Sequence, residues 1–179
     1  FTPLPLRSVT LPNRVGVAPL CQYSAEDGFA NDWHLVHLGA RAIGGAGLVM
    51  TEATAVSPEG RISPQDLGLW QDEQFAPLAR TASFLSAQGS VPAIQLSHAG
   101  RKASTRRPWD GGGVATPADG GWSPIFGPSA LPFDDGWQVP VALDEAEMDR
   151  IVDAFASAAS RVTTAGFREA EIHRAYRYH

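Results

Sequence analysis

The sequence contains very little cysteine. Only Cys21, out of 179 residues, carries a thiol, so no disulfide can form within the chain. Disulfides are typical of oxidising compartments, so this scarcity favours a reducing, cytoplasmic location. Long apolar runs are missing too. No run approaches the roughly 20 residues of a membrane-spanning helix, and the opening FTPLPLRSVTLPNR lacks the continuous apolar core of a signal peptide. We therefore expect no membrane association.

Positive charge and phosphate-binding motifs are also scarce. Lys and Arg number 14 against 19 Asp and Glu, which gives a net charge of −5. Nucleic-acid binding needs a clustered basic surface, so we expect no nucleic-acid partner. The stretch GGAG at 44–47 precedes an apolar run instead of following one, which indicates a helix-to-strand turn and not a phosphate loop. His34 and His37 have a spacing that metal ligands use, but no third ligand is evident nearby, so we predict no metal site.

Four apolar runs have the length of β-strands. They span 14–19, 47–53, 91–96 and 167–173. The first three are apolar without alternation, as expected of strands buried on both faces. The fourth fits less well, because Glu169 and Glu171 place two charges where burial is expected.

Helical patterns separate these runs. One is predicted to begin at a capping Asp32 and to end at Gly44, a second runs over 72–89, and a third runs over 144–166 with an Asp144–Glu147 pair at its start. The expected buried faces are Phe75, Leu78, Ala82 and Leu85 on the second helix and Met148, Ile151, Val152, Phe155, Ala159 and Val162 on the third.

Alternating strands and helices predict an α/β fold with a parallel sheet. One long segment, about 100–140, interrupts the alternation and is rich in Gly, Pro, Trp and Asp. A loop of this length in a compact domain is usually functional. The alternative is a disordered surface insert, which its tryptophans make less favourable.

Polar side chains follow each of the four strands. Parallel strands present their carboxyl ends at one edge of the sheet, where α/β proteins bind ligands. The polar residues there are Cys21 and Tyr23, then Thr51 and Glu52, then Gln95, His98, Arg101 and Lys102, and finally His173, Tyr176 and Tyr178. This convergence predicts an enzyme. Each residue also has a structural interpretation: Cys21 as a buried small side chain, His98 as a strand cap, and His173 with its tyrosines as an exposed terminus.

Four stretches resemble the Old Yellow Enzyme family of FMN-dependent ene-reductases, in its bacterial thermophilic-like or xenobiotic-reductase-like branch. They are LPNRVGVAPLCQYSAEDGFANDWHLVHLGARAIGGAGLVMTEATAVSPEGRIS, DLGLWQDEQ, IQLSHAGRKAS and AGFREAEIH. They follow the family's order and spacing across nearly the whole chain. The resemblance implies a (β/α)₈ barrel, an FMN cofactor, NADPH or NADH as reductant, and a small electron-poor alkene as substrate.

The resemblance also implies roles for individual residues. Pro19, Leu20, Cys21, Ala53, Gln95 and His173 would contact the flavin. Cys21 would tune the flavin potential, and Tyr23 and Lys102 would bind substrate. His173 and Tyr176 would hold the substrate carbonyl oxygen, and Tyr178 would protonate the α-carbon. The tail departs from the family: Tyr176 replaces the usual second His or Asn donor, Arg174 and Arg177 replace small residues, and Glu169 replaces an aliphatic one.

Four strands and three helices make half of a barrel that typically needs about 250 residues. We therefore expect residues 1–179 to be the N-terminal half of one barrel domain. A second copy, a complementing chain or a longer polypeptide would complete it, because an open half leaves two strand edges unpaired. The alternatives to an ene-reductase are a truncated or engineered half-barrel scaffold without activity, and a related flavin-barrel xenobiotic reductase or demethylase.

Overall fold

The computed structural model describes residues 1–173, and Tyr176 and Tyr178 lie outside that range. An N-terminal antiparallel hairpin of β1 (Leu4–Leu6) and β2 (Val9–Leu11), which the sequence reasoning missed, precedes the main sheet. The sheet then alternates with helices in the predicted order: β3 (Gly16–Val17), α1 (Asp32–Ile43), β4 (Leu48–Ala55), β5 (Leu67–Gly68), α2 (Phe75–Ala87), β6 (Val91–Ser97), α3 (Glu145–Thr164) and β9 (Glu169–Ile172). The intervening β7 (Phe126–Gly127) and β8 (Val141–Ala142) form a separate small sheet.

The main sheet is parallel, in the order β3-β4-β6-β9, with β5 paired to the end of β4. This confirms the predicted α/β fold class. The first strand is much shorter than the predicted 14–19. Pro19 has no backbone N–H to continue a ladder, and the chain leaves the sheet as it approaches this residue.

The helices form where predicted, with two corrections. The N-cap of α1 is Asn31 and not Asp32. The Asn31 side chain accepts a hydrogen bond from Trp33 N, and the backbone N–H of Asn31 donates to Nδ1 of His34. A single 3₁₀ turn, Asp72–Gln74, precedes α2, whose Leu78, Ala82 and Leu85 are buried as predicted.

The buried face of α3 differs from the prediction. Val162 is buried, but Met148 and Val152 are 47% and 65% exposed, and Ala158 is buried in place of Ala159. Helix α3 contacts the sheet mainly through its C-terminal half, where Ala158, Val162 and Ala165 join the largest apolar cluster. Its first turns lie over the loops, where Arg150 bonds Glu59 at 2.6 Å.

The 100–140 segment is an ordered excursion. Backbone bonds join Thr105 N to Ile62 O at 2.8 Å and Ala115 N to Ser104 O at 2.9 Å. Trp122 Nε1 donates to Glu59 O at 3.2 Å. The alternative of a disordered insert is wrong, because the buried Ile125 and half-buried Trp122 pack beside the carboxyl ends of the strands.

Candidate active site

One cavity of about 480 Å³ opens at the carboxyl ends of the strands. This volume falls within the range of roughly 300–1,000 Å³ that small-molecule sites occupy. The cavity is lined by Pro19, Leu20, Cys21, Tyr23, Ala53, Ile62, Gln95, Lys102, Glu171 and His173. Every residue within 1–173 to which the family resemblance assigns a role therefore borders the same space. The roles assigned to those residues remain predictions.

The floor of the cavity is a row of side chains across three strands. Ala53 on β4 pairs in register with Gln95 on β6, and Gln95 pairs with Glu171 on β9. Paired residues of neighbouring parallel strands point to the same face, which brings these side chains together. Gln95 is buried, and its Nε2 donates to Glu171 Oε1 at 2.6 Å.

The position of Glu171 explains why the fourth strand carries a charge. A charge on the fourth strand was expected to be buried, but Glu171 is exposed at the cavity and is bonded by Gln95. Sequence reasoning missed Glu171 and Ile62 as lining residues. For Glu171 a signal was present: it stands two residues before His173 on a strand, so both side chains point to the same face.

Cys21 lines the cavity as a protonated thiol. Burial raises its pKa from the ordinary 9.0 to about 12, and the nearby carboxylates of Asp66 and Glu52 add to the rise. The side chain packs beside Ile62, Ala99 and other members of a small apolar cluster. A thiol in this state is neither a base nor an anionic nucleophile at neutral pH.

The remaining described lining residues come from loops. Tyr23 has a left-handed backbone, with φ of 49°, and its ring meets Trp109 edge to face at a centroid distance of 5.5 Å. Lys102 Nζ lies 5.6 Å from the centroid of the Phe133 ring. His173 is held at the end of β9 by its backbone N–H, which donates to Leu96 O at 2.8 Å.

Several candidates from the same sheet edge do not line the cavity. His98 is buried and accepts from Gly100 N through Nδ1 at 3.1 Å, which supports the strand-cap interpretation. Thr51 and Glu52 are buried on the side of β4 that faces away from the cavity. The pairing of β4 with β6 shifts register between Met50 and Ala53, which changes the direction of these side chains. They border a smaller space of about 80 Å³ between α1 and the sheet.

Two features are absent from residues 1–173. No helix in this part of the chain is long and apolar enough to cross a membrane. The same residues contain no group of three or more His, Cys, Asp or Glu side chains arranged to hold a metal ion.

Comparison with known proteins gives a consistent family match. The model of the NADH:flavin oxidoreductase / NADH oxidase family matches residues 1–178. An NADH:flavin oxidoreductase of Gibberella zeae is 50% identical over 181 residues, which cover 99% of this chain and 44% of that protein. An NADPH dehydrogenase of Bacillus cytotoxicus is 44% identical over 180 residues, which cover 99% of this chain and 47% of that protein.

Solved structures show the same relationship. Morphinone reductase superposes with a TM-score of 0.84 at 30% identity, covering 99% of this chain and 48% of its own. The Old Yellow Enzyme homologue from Zymomonas mobilis gives a TM-score of 0.82 at 28% identity, covering 99% and 49%. The chain thus spans about half the length of the relatives it matches. The strands and helices of residues 1–173 correspond to part of a (β/α)₈ barrel, as predicted.

Proposed function

Since the chain belongs to the NADH:flavin oxidoreductase / NADH oxidase family, we propose that it forms the substrate-facing part of an ene-reductase. The reaction would be reduction of the C=C bond of α,β-unsaturated carbonyl compounds. The single observation that supports this most strongly is the cavity that gathers Cys21, Tyr23, Gln95 and His173 at one end of the sheet.

The family membership confirms the resemblance to the Old Yellow Enzymes. It also confirms the predicted cofactors, FMN with NADH or NADPH, for the family to which this chain belongs. When bound, FMN supplies the hydride chemistry that amino-acid side chains lack.

The cavity's polar groups fit a flavin ring. Gln95 offers a buried carboxamide, which carries both a donor and an acceptor. The pyrimidine edge of a flavin presents carbonyl oxygens and an N–H, so it is complementary to such a group. Nε2 already donates one hydrogen to Glu171, which leaves its second hydrogen and Oε1 for the cofactor. Pro19, Leu20 and Ala53 supply apolar walls for the ring.

His173 is the group we propose to bind the substrate carbonyl. Negative charge develops on that oxygen as the β-carbon of the alkene receives hydride. A fixed imidazole N–H aimed at the oxygen would stabilise this charge. The backbone bond from His173 to Leu96 O anchors the residue at the cavity. Tyr176 and Tyr178, the predicted second donor and proton donor, lie outside the described residues, and their roles remain predictions.

Cys21 would serve as a polarisable neighbour of the flavin and not as a nucleophile. The pKa of about 12 keeps the sulfur protonated at any pH where the enzyme would work. A neutral thiol packed among apolar side chains can contact both cofactor and substrate. This agrees with a role in tuning the flavin and argues against thiolate catalysis by Cys21.

A further set of strands is proposed to complete the site. The outer strands of the described sheet are β3 and β9, and Val15 beside β3 and Ile172 on β9 are 52% and 66% exposed. Exposed apolar side chains at a sheet edge favour coverage by other protein. We propose that a longer chain supplies that coverage; pairing of two copies is the alternative.

The proposal is tested with the protein that carries this chain, purified and assayed for bound FMN. NADPH oxidation is then followed anaerobically with and without 2-cyclohexen-1-one. Alkene-dependent oxidation with formation of cyclohexanone is the expected result. A flavin-loaded protein that oxidises NADPH but leaves the alkene unchanged would refute the ene-reductase proposal.

A further inference from the structure

The segment that carries Cys21 and Tyr23 belongs to no helix or strand. It leaves the sheet after β3 and crosses the cavity, and Tyr23 within it has the left-handed φ of 49°. A non-glycine residue in that region is strained and persists only when its surroundings hold it. The contacts that hold this segment therefore decide where its side chains point.

Glu52 provides the central contact. Its carboxyl group is almost completely buried, and Oε2 accepts from the backbone N–H of Gln22 at 2.6 Å. Gln22 stands between Cys21 and Tyr23. Burying a carboxylate is unfavourable unless donors compensate for the lost water, so the bond from Gln22 N constrains the loop backbone.

His34 supplies the second contact to this carboxylate. Nε2 of His34 lies 3.2 Å from Glu52 Oε1. The direction of Nε2 falls short of a well-aligned hydrogen bond, so the attraction is chiefly electrostatic. His34 is itself buried, which makes the low-dielectric interaction stronger than its surface equivalent.

The other ring nitrogen of His34 faces the N-terminus of α1. The backbone N–H of Asn31 points at Nδ1 at 3.0 Å, and an N–H can only donate, so Nδ1 accepts. The Oδ1 atom of Asn31 is also 3.0 Å away but accepts from Trp33 N. With Nδ1 as the acceptor, the ring N–H on Nε2 faces Glu52.

Asn31 holds the other end of the segment that carries Cys21 and Tyr23. Its Nδ2 donates to Ser24 O at 2.7 Å, and Ser24 directly follows Tyr23. The loop is thus held by Glu52 at Gln22 and by Asn31 at Ser24. His34 contacts both of these groups, which links the loop to the N-terminus of α1.

We propose that Glu52, supported by His34, is a positioning residue that sets the backbone of the 20–24 segment and thereby directs Cys21 and Tyr23 into the cavity. The inference rests on the proposed function of that cavity. Glu52 does not line the cavity, so it acts through the loop and touches neither cofactor nor substrate.

The test is Glu52→Gln in the protein that carries this chain. A glutamine accepts from Gln22 N only by turning its NH₂ toward the Nε2–H of His34, so one of the two contacts becomes donor against donor. Glu59→Gln is the matched control, because this carboxylate binds Arg150 at 2.6 Å away from the cavity. Both variants are first compared by thermal unfolding.

The decisive readout is alkylation of Cys21 by iodoacetamide in flavin-free protein, assigned to this residue by peptide mass mapping. Glu52→Gln also removes a charge that raises the Cys21 pKa, so its effect on alkylation is compared with that of His34→Gln, which leaves Glu52 in place. Both variants should change the alkylation rate by roughly tenfold or more and weaken FMN binding, and Glu59→Gln should change neither. In loaded protein, alkene turnover should fall by about ten- to hundredfold, because small misplacements have effects of that size.

An unchanged alkylation rate and FMN affinity in folded Glu52→Gln would overturn the proposal, whatever the melting temperature. If that variant does not fold, His34→Gln alone decides the question, since a glutamine Nε2 can still donate to Glu52 but its Oε1 does not occupy the place of the imidazole Nδ1 that accepts from Asn31 N. Altered Cys21 alkylation in His34→Gln supports the proposal, and an unaltered rate refutes it. Alkylation and FMN binding need no turnover, so they stay informative if the alkene proposal itself fails.

Discussion

The carboxamide nitrogen of Gln95 donates to the carboxylate of Glu171 at 2.6 Å, between paired positions of β6 and β9. The contact fixes which end of the carboxamide faces the neighbouring strand. Oε1 of Gln95 is consequently free of Glu171, and the second hydrogen on Nε2 is available to a ligand. A strand pair thus orients the group that we propose to recognise the flavin.

Replacing Gln95 by Glu should place two carboxylates against each other. We expect Gln95→Glu to lower the free energy of unfolding by about 1 kcal/mol, since Glu171 is exposed and water screens part of the repulsion. The double variant Gln95→Glu with Glu171→Gln restores a donor–acceptor pair and should recover that stability. FMN affinity should stay low in both, because neither keeps a carboxamide at position 95. Recovery of FMN affinity in the double variant would contradict the assignment of Gln95.

The rate of Cys21 alkylation should rise with pH over a higher pH range than that of an ordinary cysteine. The thiolate is the reactive form, and the raised pKa of about 12 delays its formation. In flavin-free protein the iodoacetamide rate should therefore keep rising up to about pH 11, whereas the rate for an ordinary cysteine levels off at about pH 10, roughly one unit above its pKa. Urea-unfolded protein provides the control. A plateau at about pH 10 in the folded protein would show that burial and the neighbouring carboxylates do not raise the pKa of this thiol.

Asp66 should make stability fall as pH rises. Burial raises the pKa of its carboxyl group from 3.8 to about 7, against hydrogen bonds from Ile62 N at 2.7 Å and Ser63 Oγ at 2.9 Å. Between about pH 4 and pH 7 the folded state keeps a proton that the unfolded state has lost. The free energy of unfolding should therefore decrease with pH, by at most about 1.4 kcal/mol per unit from this group.

The Asp66→Asn variant isolates that contribution. Asparagine can accept from Ile62 N and donate to Ser63, so both contacts survive without a titrating group. Denaturant unfolding of wild type and variant across the same pH window should give a difference that changes steadily with pH. A difference independent of pH would mean that Asp66 ionises normally.

Replacing Arg61 by lysine should destabilise the protein. Its guanidinium lies 5.2 Å from the Trp70 ring centroid and 5.0 Å from that of Trp122, and it donates to Pro58 O and Pro64 O. A lysine keeps the charge but has no planar fork for these contacts. We expect Arg61→Lys to cost about 1–3 kcal/mol of stability.

Arg80→Lys is the control for Arg61, since Arg80 and its partner Asp32 are both exposed. That change should cost less than about 0.5 kcal/mol. If the two substitutions lower the free energy of unfolding equally in urea, the contacts of Arg61 with Trp70, Trp122 and the two proline carbonyls do not stabilise the fold. The outcome matters for the site, because Arg61 precedes the cavity residue Ile62 and contacts the excursion through Trp122.

The parallel sheet could be predicted from the sequence because β4 and β6 are apolar without alternation and are separated by a clear helix. The same reasoning failed for α3, where Val152 fits the helical period but is 65% exposed. Helical spacing shows which residues share a face, but not how much of that face has a neighbour to pack against.

The sequence was enough to predict most of the residues that line the cavity, but not which contacts hold them in place. Cys21, Gln95 and His173 each follow or end a strand, so the topology alone brings them together. The position of Glu52 depends on a register shift in β4, which no residue type signals, and on His34, whose partner is 18 positions away in sequence. Bulges and long-range pairs of this kind arise from tertiary packing and leave no periodic pattern.

The most direct test of the account is the oxidation of reduced flavin by an alkene, measured in wild type and in His173→Ala. Protein carrying this chain is reduced anaerobically with one equivalent of NADPH and mixed rapidly with 2-cyclohexen-1-one, and the return of oxidised-flavin absorbance is followed. We expect the alkene to reoxidise the wild-type flavin, and His173→Ala to slow that step by about a hundredfold or more while reduction by NADPH changes less. Equal reoxidation rates in the two proteins, or no reoxidation by the alkene in wild type, would contradict the account.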